Sequence, residues 1–390
     1  MKPEIETSRK STIISKLIST RIKLEELIEL SPEEAAYWDK PGAVTNLPLK
    51  INTSYSRLIE THQKEGSVDG ASPDPIRIQT VPTVHELNIL PYETGDPLGE
   101  GYYTPETRLI HQYPDRILIK VTDRCAVYCR HCFRRSFAGG TAGDISASEI
   151  EHIADYLKGR PGVNEILLSG GDCLTLSDGK LASMMDSLAD GQKERTFRLC
   201  TRIPVVAPSR ITPELVSLLA VRKPVWVATQ FNHPRELTFE SRAAITRLLA
   251  GGIPVVNQAV LLRGVNDNVE TLAELFTTLV AVGIKPYYLF QGDLAAGTSH
   301  LRVGLKRGLG IVKELRGRLS GLAMPVYAVD LPDGGGKMVL SEKDFLRDEP
   351  PEHSGGVGNP DGNAGSGGIS GWRVFEGSDG RERFYPLENC

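Results

Sequence analysis

Residues 117–135 read Ile-Leu-Ile-Lys-Val-Thr-Asp-Arg-Cys-Ala-Val-Tyr-Cys-Arg-His-Cys-Phe-Arg-Arg. The first part, Ile117–Thr122, is a short apolar, β-branched run of the kind that forms a buried strand. Directly after it, Cys125, Cys129 and Cys132 stand in a CxxxCxxC array. Runs of the same type return about every thirty residues, at Glu165–Ser169, Thr196–Thr201, Val225–Phe231, Val255–Leu262, Pro286–Gln291 and Val326–Leu331. Helical segments lie between them and carry their own start signals. Ser146 and Glu149 form a capping box ahead of Ile150, Ile153, Ala154 and Leu157, and Thr212-Pro213-Glu214 opens another helix. Regular β-α alternation predicts an α/β fold with a parallel sheet and helices outside it, most economically a barrel or partial (β/α) barrel. Residues just past the strand C-termini of such a barrel converge on one mouth. The three cysteines, Gly170-Gly171-Asp172, Arg202, Asn232-His233, Asp293, and Asp330 with Lys337 all fall there.

Outside this block the pattern changes. Residues 1–107 read as a helical N-terminal region: Arg21–Leu30 places Leu24, Leu27 and Ile28 on one face, and Ser31-Pro32-Glu33-Glu34 supplies an N-cap, a Pro at N1 and a capping-box acid. The barrel is expected over 108–340. In 341–390, the stretch 354–371 holds eight glycines among Ser, Asn, Pro and Asp and predicts a flexible linker, and Trp372–Tyr385 alternates around a turn signal as a terminal hairpin.

The 390 residues include 40% hydrophobic and 24% charged side chains, values of a globular chain that excludes disorder throughout. A net charge of −4 gives no basic excess for nucleic acid or an anionic membrane, leaving small molecules as the default partner. The uncharged stretch Leu248–Leu262 is too short for a membrane span and contains Gly251, Gly252, Pro254, Asn257 and Gln258. Glu4 and Glu6 and the absence of an apolar core in the first residues predict a cytoplasmic protein without a signal or transit peptide.

Three of the six cysteines fall within eight positions, which suits metal chemistry in a reducing compartment better than a disulfide framework. Three thiolates on one short loop can wrap a compact soft centre, and three ligands to a cubane leave one iron open for a small molecule. A zinc site completed by His131, or plain packing, would use the same residues. Cys173, Cys200 and Cys390 read as ordinary thiols.

With these motifs in place, the chain resembles the radical S-adenosylmethionine (SAM) superfamily and, more narrowly, the lysine 2,3-aminomutase family. The resemblance rests on YCRHCFRR (128–135), LLSGGD (167–172), FNHP (231–234), NQAVLLRGVND (257–267), PYYLFQGDL (286–294) and VDLPDGGGK (329–337), together with DPIRIQTVPTVHE (74–86) and YPDR (113–116). It extends from about Ile22 to Leu340. It implies a barrel of the radical SAM type. It implies a [4Fe–4S] cluster on Cys125, Cys129 and Cys132 and SAM beside Gly170, Gly171, Asp172 and Gln258. Pyridoxal 5′-phosphate would be carried by Lys337 with Tyr113 and Arg116 nearby, and Lys337 follows a Gly334-Gly335-Gly336 run that would let its backbone move. Arg134 would pair with a substrate carboxylate and Asp293 and Asp330 with a distal ammonium, Arg135 being merely solvated. The implied reaction moves the α-amino group of a free basic amino acid, L-lysine first, to its β-carbon by radical chemistry. A flavodoxin or ferredoxin would donate the electron, and a homo-oligomer is compatible.

Several positions depart from the family pattern. Gln230 stands where a His is common, Phe290 where a Tyr is, and Asp333 where a Gly is. The cysteines that bind zinc near the C-terminus of some family members are missing, with Cys390 alone in that region and Asn268 at the partner position, so no zinc is expected. Arginine or another amino acid would be an alternative substrate. A relative acting on a lysine of elongation factor P belongs to a shorter branch without need of both acids, and a noncatalytic iron–sulfur protein would not need Lys337 and Arg134 beside them.

Overall fold

The computed structural model describes residues 17–40, 47–60, 74–189, 195–222, 224–341, 343, 345, 347–349 and 371–388. The linker expected at 354–371 lies outside the described residues except for Gly371, and so does Cys390.

Nine strands form one sheet whose spatial order follows the chain. They are β1 (Leu109–Tyr113), β2 (Arg116–Thr122), β3 (Glu165–Gly170), β4 (Thr196–Cys200), β5 (Val225–Thr229), β6 (Val255–Val260), β7 (Lys285–Phe290), β8 (Val326–Leu331) and β9 (Gly336–Val339). Neighbours from β2 to β8 pair in parallel, and β1 and β9 are antiparallel edges. Six helices make the crossovers: α1 (Ala147–Lys158), α2 (Asp178–Ala189), α3 (Pro213–Ala220), α4 (Phe239–Ala250), α5 (Val269–Ala281) and α6 (Leu305–Arg318). This is the partial β/α barrel that the alternation predicts. The expected strands all form, but β5 and β6 stop two residues early. Side chains take over the backbone bonds there: Asn257 bonds both the N–H and the C=O of Phe231, and Asn266 accepts from the Leu262 N–H.

Each helix turns an apolar stripe toward the sheet. On α1, Ile150, Ile153 and Leu157 are buried at helical spacing, each contributing roughly 1.5–3 kcal/mol. The Ser146/Glu149 capping box that starts α1 is present, as are the one at Ser31/Glu34 and the Thr212 cap of α3.

The N-terminal region consists of short helices, Arg21–Glu25, Pro32–Asp39 and Pro75–Thr80, with an unanticipated antiparallel pair, Leu17–Ile18 and Ile51–Asn52. It backs the cysteine loop. The Tyr128 N–H donates to the Lys50 carbonyl and the Arg130 N–H to the Gln79 carbonyl. The Arg130 guanidinium bonds Glu86 and the carbonyls of Leu47 and Pro48. Arg135 corrects an expectation. It is buried, with its Nη2 2.6 Å from Glu86 Oε2, so that the two oxygens of the buried Glu86 are shared between Arg130 and Arg135.

At the other end the expected hairpin, Trp372–Glu376 with Glu382–Pro386, gains a third strand, Arg347–Glu349. It buttresses the turn between β8 and β9: Arg383 donates to the carbonyls of Pro332 and Asp333, and the Ser378 N–H to that of Gly335. Among the described residues no helix is long and apolar enough to cross a membrane.

Candidate active site

A cavity of about 530 Å³ opens at the C-terminal end of the parallel strands; the thirteen residues that the resemblance assigns to the site line it, as does Arg202, whereas Asn232 and His233, expected at the same mouth, are not in its lining. The structure therefore gathers Tyr113, Arg116, Cys125, Cys129, Cys132, Arg134, Gly170, Gly171, Asp172, Gln258, Asp293, Asp330 and Lys337 in one place.

The three thiols share one wall. Burial and nearby negative charge, first that of Asp172 and then those of the other two sulfurs, push Cys125 up, and burial together with Cys129 pushes Cys132 up to about 11. Thiols held this way are reluctant to ionise alone, and a cationic iron centre would supply the compensating charge. Among the described residues no three His, Cys, Asp or Glu side chains close on a point that would hold a single ion. The loop suits a larger cluster: three sulfurs line a common cavity and the backbone behind them is pinned.

The backbone itself calls for glycine at positions 170 and 171. Gly170 adopts φ +101°, and a Cβ on Gly171 would lie 2.4 Å from the Arg124 carbonyl oxygen. They let the end of β3 pass against the backbone of the cysteine loop. Gly171→Ala is expected to cost roughly 1–3 kcal/mol of stability and to lower iron uptake, whereas Gly179→Ala, with nothing within 4 Å, leaves both unharmed. Melting temperature and iron content of the two variants check this.

Asp172 holds these loops together: its carboxylate accepts from Thr201 Oγ1 (2.6 Å), the Arg202 N–H (2.7 Å) and the Leu174 N–H (3.1 Å). Gln258 faces the cavity from β6.

On the far wall, β8 and β9 pair Asp330 directly with Lys337. Lys337 Nζ lies 2.8 and 2.7 Å from the two Asp330 oxygens and 4.0 Å from the Phe290 ring centroid. Its backbone N–H donates to Tyr113 Oη at 2.9 Å. Arg116 stacks 3.8 Å over the Tyr113 ring, its register partner at the β1–β2 turn. Asp293 is held up to about 7 by burial and by the facing Asp330.

The glycines before Lys337 are not a hinge. Gly334 donates to the Leu98 carbonyl and accepts from Tyr103 and Gln112. A Cβ at Gly334 would strike Tyr103, and one at Gly335 would strike Arg383 and Leu331. The run packs closely against its neighbours, and the expected backbone freedom is corrected to a clamped turn. Asp333, the departure from glycine, keeps the left-handed conformation at φ +52°, which Asp tolerates better than most side chains.

Arg134 lies between the two walls, donating to Ser169 Oγ (3.0 Å) and to Glu100. Glu100 had no sequence signal, since its partner is 34 residues away. Cys200, read as an ordinary thiol, also lines the cavity. Arg202, noted only for its place after a strand, has Nη1 2.7 Å from Cys129 Sγ and Nη2 2.6 Å from Glu236. Gln230 faces His131, with their Nε2 atoms 3.1 Å apart, while His131 Nδ1 is buried without a partner. Burial and Arg202 hold His131 down to about 3, so the ring is neutral.

The family model described as Radical SAM superfamily matches residues 119–276. L-lysine 2,3-aminomutase of Acetoanaerobium sticklandii is 41% identical over 320 residues, covering 82% of this chain and 75% of the relative. That of Clostridium subterminale is 41% identical over 320 residues, covering 82% and 74%. Glutamate 2,3-aminomutase of Clostridioides difficile is 38% identical over 317 residues, covering 81% and 72%.

Proposed function

The chain belongs to the lysine 2,3-aminomutase family of radical SAM enzymes, and from that premise we propose that its substrate is free L-lysine, whose α-amino group it moves to the β-carbon. It is an isomerase of the aminomutase kind. The family's chemistry takes a [4Fe–4S] cluster and SAM, and pyridoxal 5′-phosphate is the third group we assign. When bound, the cluster and SAM supply the radical that removes hydrogen, and the pyridoxal ring supplies a π system for the migrating nitrogen.

The chain's own residues do the holding and orienting. Cys125, Cys129 and Cys132 would ligate the cluster, leaving one iron for SAM at the wall formed by Gly170, Gly171, Asp172 and Gln258. Lys337 offers a primary amine inside the cavity, with Arg116 and Tyr113 alongside for the phosphate-bearing end. Arg134 presents a planar fork suited to the α-carboxylate.

One observation carries the choice of lysine. Asp330 already holds a primary ammonium, that of Lys337, on both oxygens, with Asp293 facing it. Once Lys337 is committed to a cofactor, the two acids are left facing each other, and a second ammonium relieves their repulsion. The ε-ammonium of lysine has that chemistry; the side chain of glutamate would add a third carboxylate. Loading three thiols requires a reducing compartment, which supports a cytoplasmic setting with a flavodoxin or ferredoxin as electron donor.

Anaerobic reconstitution, followed by product analysis with lysine, arginine and glutamate, tests the assignment: faster rearrangement of glutamate than of lysine would remove it. The pH dependence tests the acids. Below about pH 7 Asp293 is protonated and offers only a neutral hydrogen bond, and above it the carboxylate attracts the ammonium. Committing Lys337 to a cofactor removes a cation that holds Asp293 down, so the KM for lysine should fall as pH rises from about 7 upward. Asp293→Asn should flatten that profile, and either Asp293→Asn or Asp330→Asn should raise KM by roughly one to two orders of magnitude.

A further inference from the structure

Every nitrogen of the Arg134 guanidinium is engaged. Nε is 2.9 Å from Glu100 Oε1, Nη2 donates to the same oxygen, and Nη1 is 3.0 Å from Ser169 Oγ. The pair is nearly dry, with side-chain exposures of 11% for Arg134 and 14% for Glu100. The Nε/Nη2 edge of Arg134, its side-on fork for a carboxylate, thus already holds one, and two carboxylates cannot share it without strong repulsion.

The backbone under Glu100 is fixed. Its N–H donates to Asp96 Oδ1 at 2.9 Å and its carbonyl accepts from Thr104 Oγ1 at 2.8 Å. Gly99, at φ +63°, packs so closely on Gly334 that a Cβ would lie 2.4 Å from the Gly334 nitrogen. With the backbone held, a displaced Glu100 can move only by side-chain rotation, and the side chain borders open space. A second cavity of about 310 Å³ lies beyond, lined by Asp96, Lys120, Ser136 and Phe133 and by Glu100 and Arg134 themselves. Glu100, Phe133 and Arg134 belong to both cavities, so the ion pair is the partition between them. Asp96, Gly101, Thr104 and Ser136 on the outer side are exposed to solvent.

We infer that Glu100 is a placeholder for the substrate carboxylate on Arg134, displaced toward the outer cavity when the amino acid binds. Lys120 supplies a cation in the outer cavity, where the displaced Glu100 carboxylate can stand. The arrangement selects for a free α-carboxylate: a lysine whose carboxyl is an amide has no anion with which to displace Glu100. This deepens the assignment of Arg134 as carboxylate receptor and rests on it.

The test uses the reconstituted holoenzyme. In Glu100→Gln the competing anion is gone, so the KM for lysine should fall by roughly three- to tenfold without a rise in kcat. Inhibition by lysinamide, which has nothing to exchange, should be equal in both proteins. Glu100→Asp, one methylene short of Arg134, should lower KM by a smaller factor and serves if the Gln variant folds poorly. If Glu100 instead orients Arg134 for the substrate, both variants raise KM; that result, or an unchanged KM, overturns the inference. Arg134→Gln separates the two levels. A raised lysine KM there, with no fall in the Glu100 variants, refutes the placeholder alone. An unchanged KM refutes the receptor assignment and the placeholder with it.

Discussion

Alanine at Cys125, Cys129 or Cys132 is expected to abolish the iron–sulfur absorption of the reconstituted protein and all turnover. Three thiolates are the fewest that hold a cubane while leaving an iron for SAM, so two cannot substitute for three. The fold itself should survive. The loop is fixed from behind by the backbone bonds of Tyr128 to Lys50 and Arg130 to Gln79, and by the Arg130–Glu86 pair, none of which uses a sulfur. A melting temperature close to that of the unmodified protein, with no bound iron, would isolate the loss to the ligand. Full iron content and activity in any of the three variants would refute the cluster placement. Cys129→Ala should differ from the others in one respect: it also removes the contact of Arg202 and leaves that buried cation to Glu236 and its other partners.

Removing the amine of Lys337 should have a comparable effect on turnover and leave the cluster intact. Borohydride reduction in the presence of pyridoxal phosphate should tag a peptide containing Lys337, and the tag and turnover should vanish together in Lys337→Ala. The alanine variant also leaves Asp330 facing Asp293 without a cation, which destabilises the mouth on its own account. Lys337→Arg separates these effects. Guanidinium keeps a positive charge for Asp330 but stays protonated and cannot attack a carbonyl. Its stability should therefore approach the unmodified level while the tag and turnover remain absent. A tag on another lysine would displace the assignment.

The barrel strands were legible because parallel strands are buried on both faces and read as continuous apolar runs. Ser146, Glu149 and Thr212 were legible because caps are local. The edge strands were not: β1 ends in a YPDR turn and β9 begins inside a glycine run, so neither carries a periodicity of its own. Distant charge pairing was hidden as well. Arg135 looked solvated because nothing near it in sequence shows Glu86, 49 residues away, and the contact of Arg202 with Cys129 spans 73 residues. The cavity residues were found because each stands just past a strand end or within a family motif, whereas Glu100 meets neither condition. Gly334–Gly336 were noticed for the right place and the wrong property, since a glycine that yields freedom and one that admits a neighbour look identical in sequence.

The sheet is a hoop that does not meet itself. No backbone pairing joins β1 to β9 among the described residues, and the gap is spanned by two fastenings, Gln112 to the Gly334 carbonyl and the Lys337 N–H to Tyr113. Lys337 sits on one lip of that seam, and Arg116 and Tyr113 sit on the other. A molecule gripped by both lips acts as a clasp, drawing the staves together by its own affinity. Wear in this protein should begin along the seam, well before it reaches the thiol loop that the N-terminal region bolts from behind.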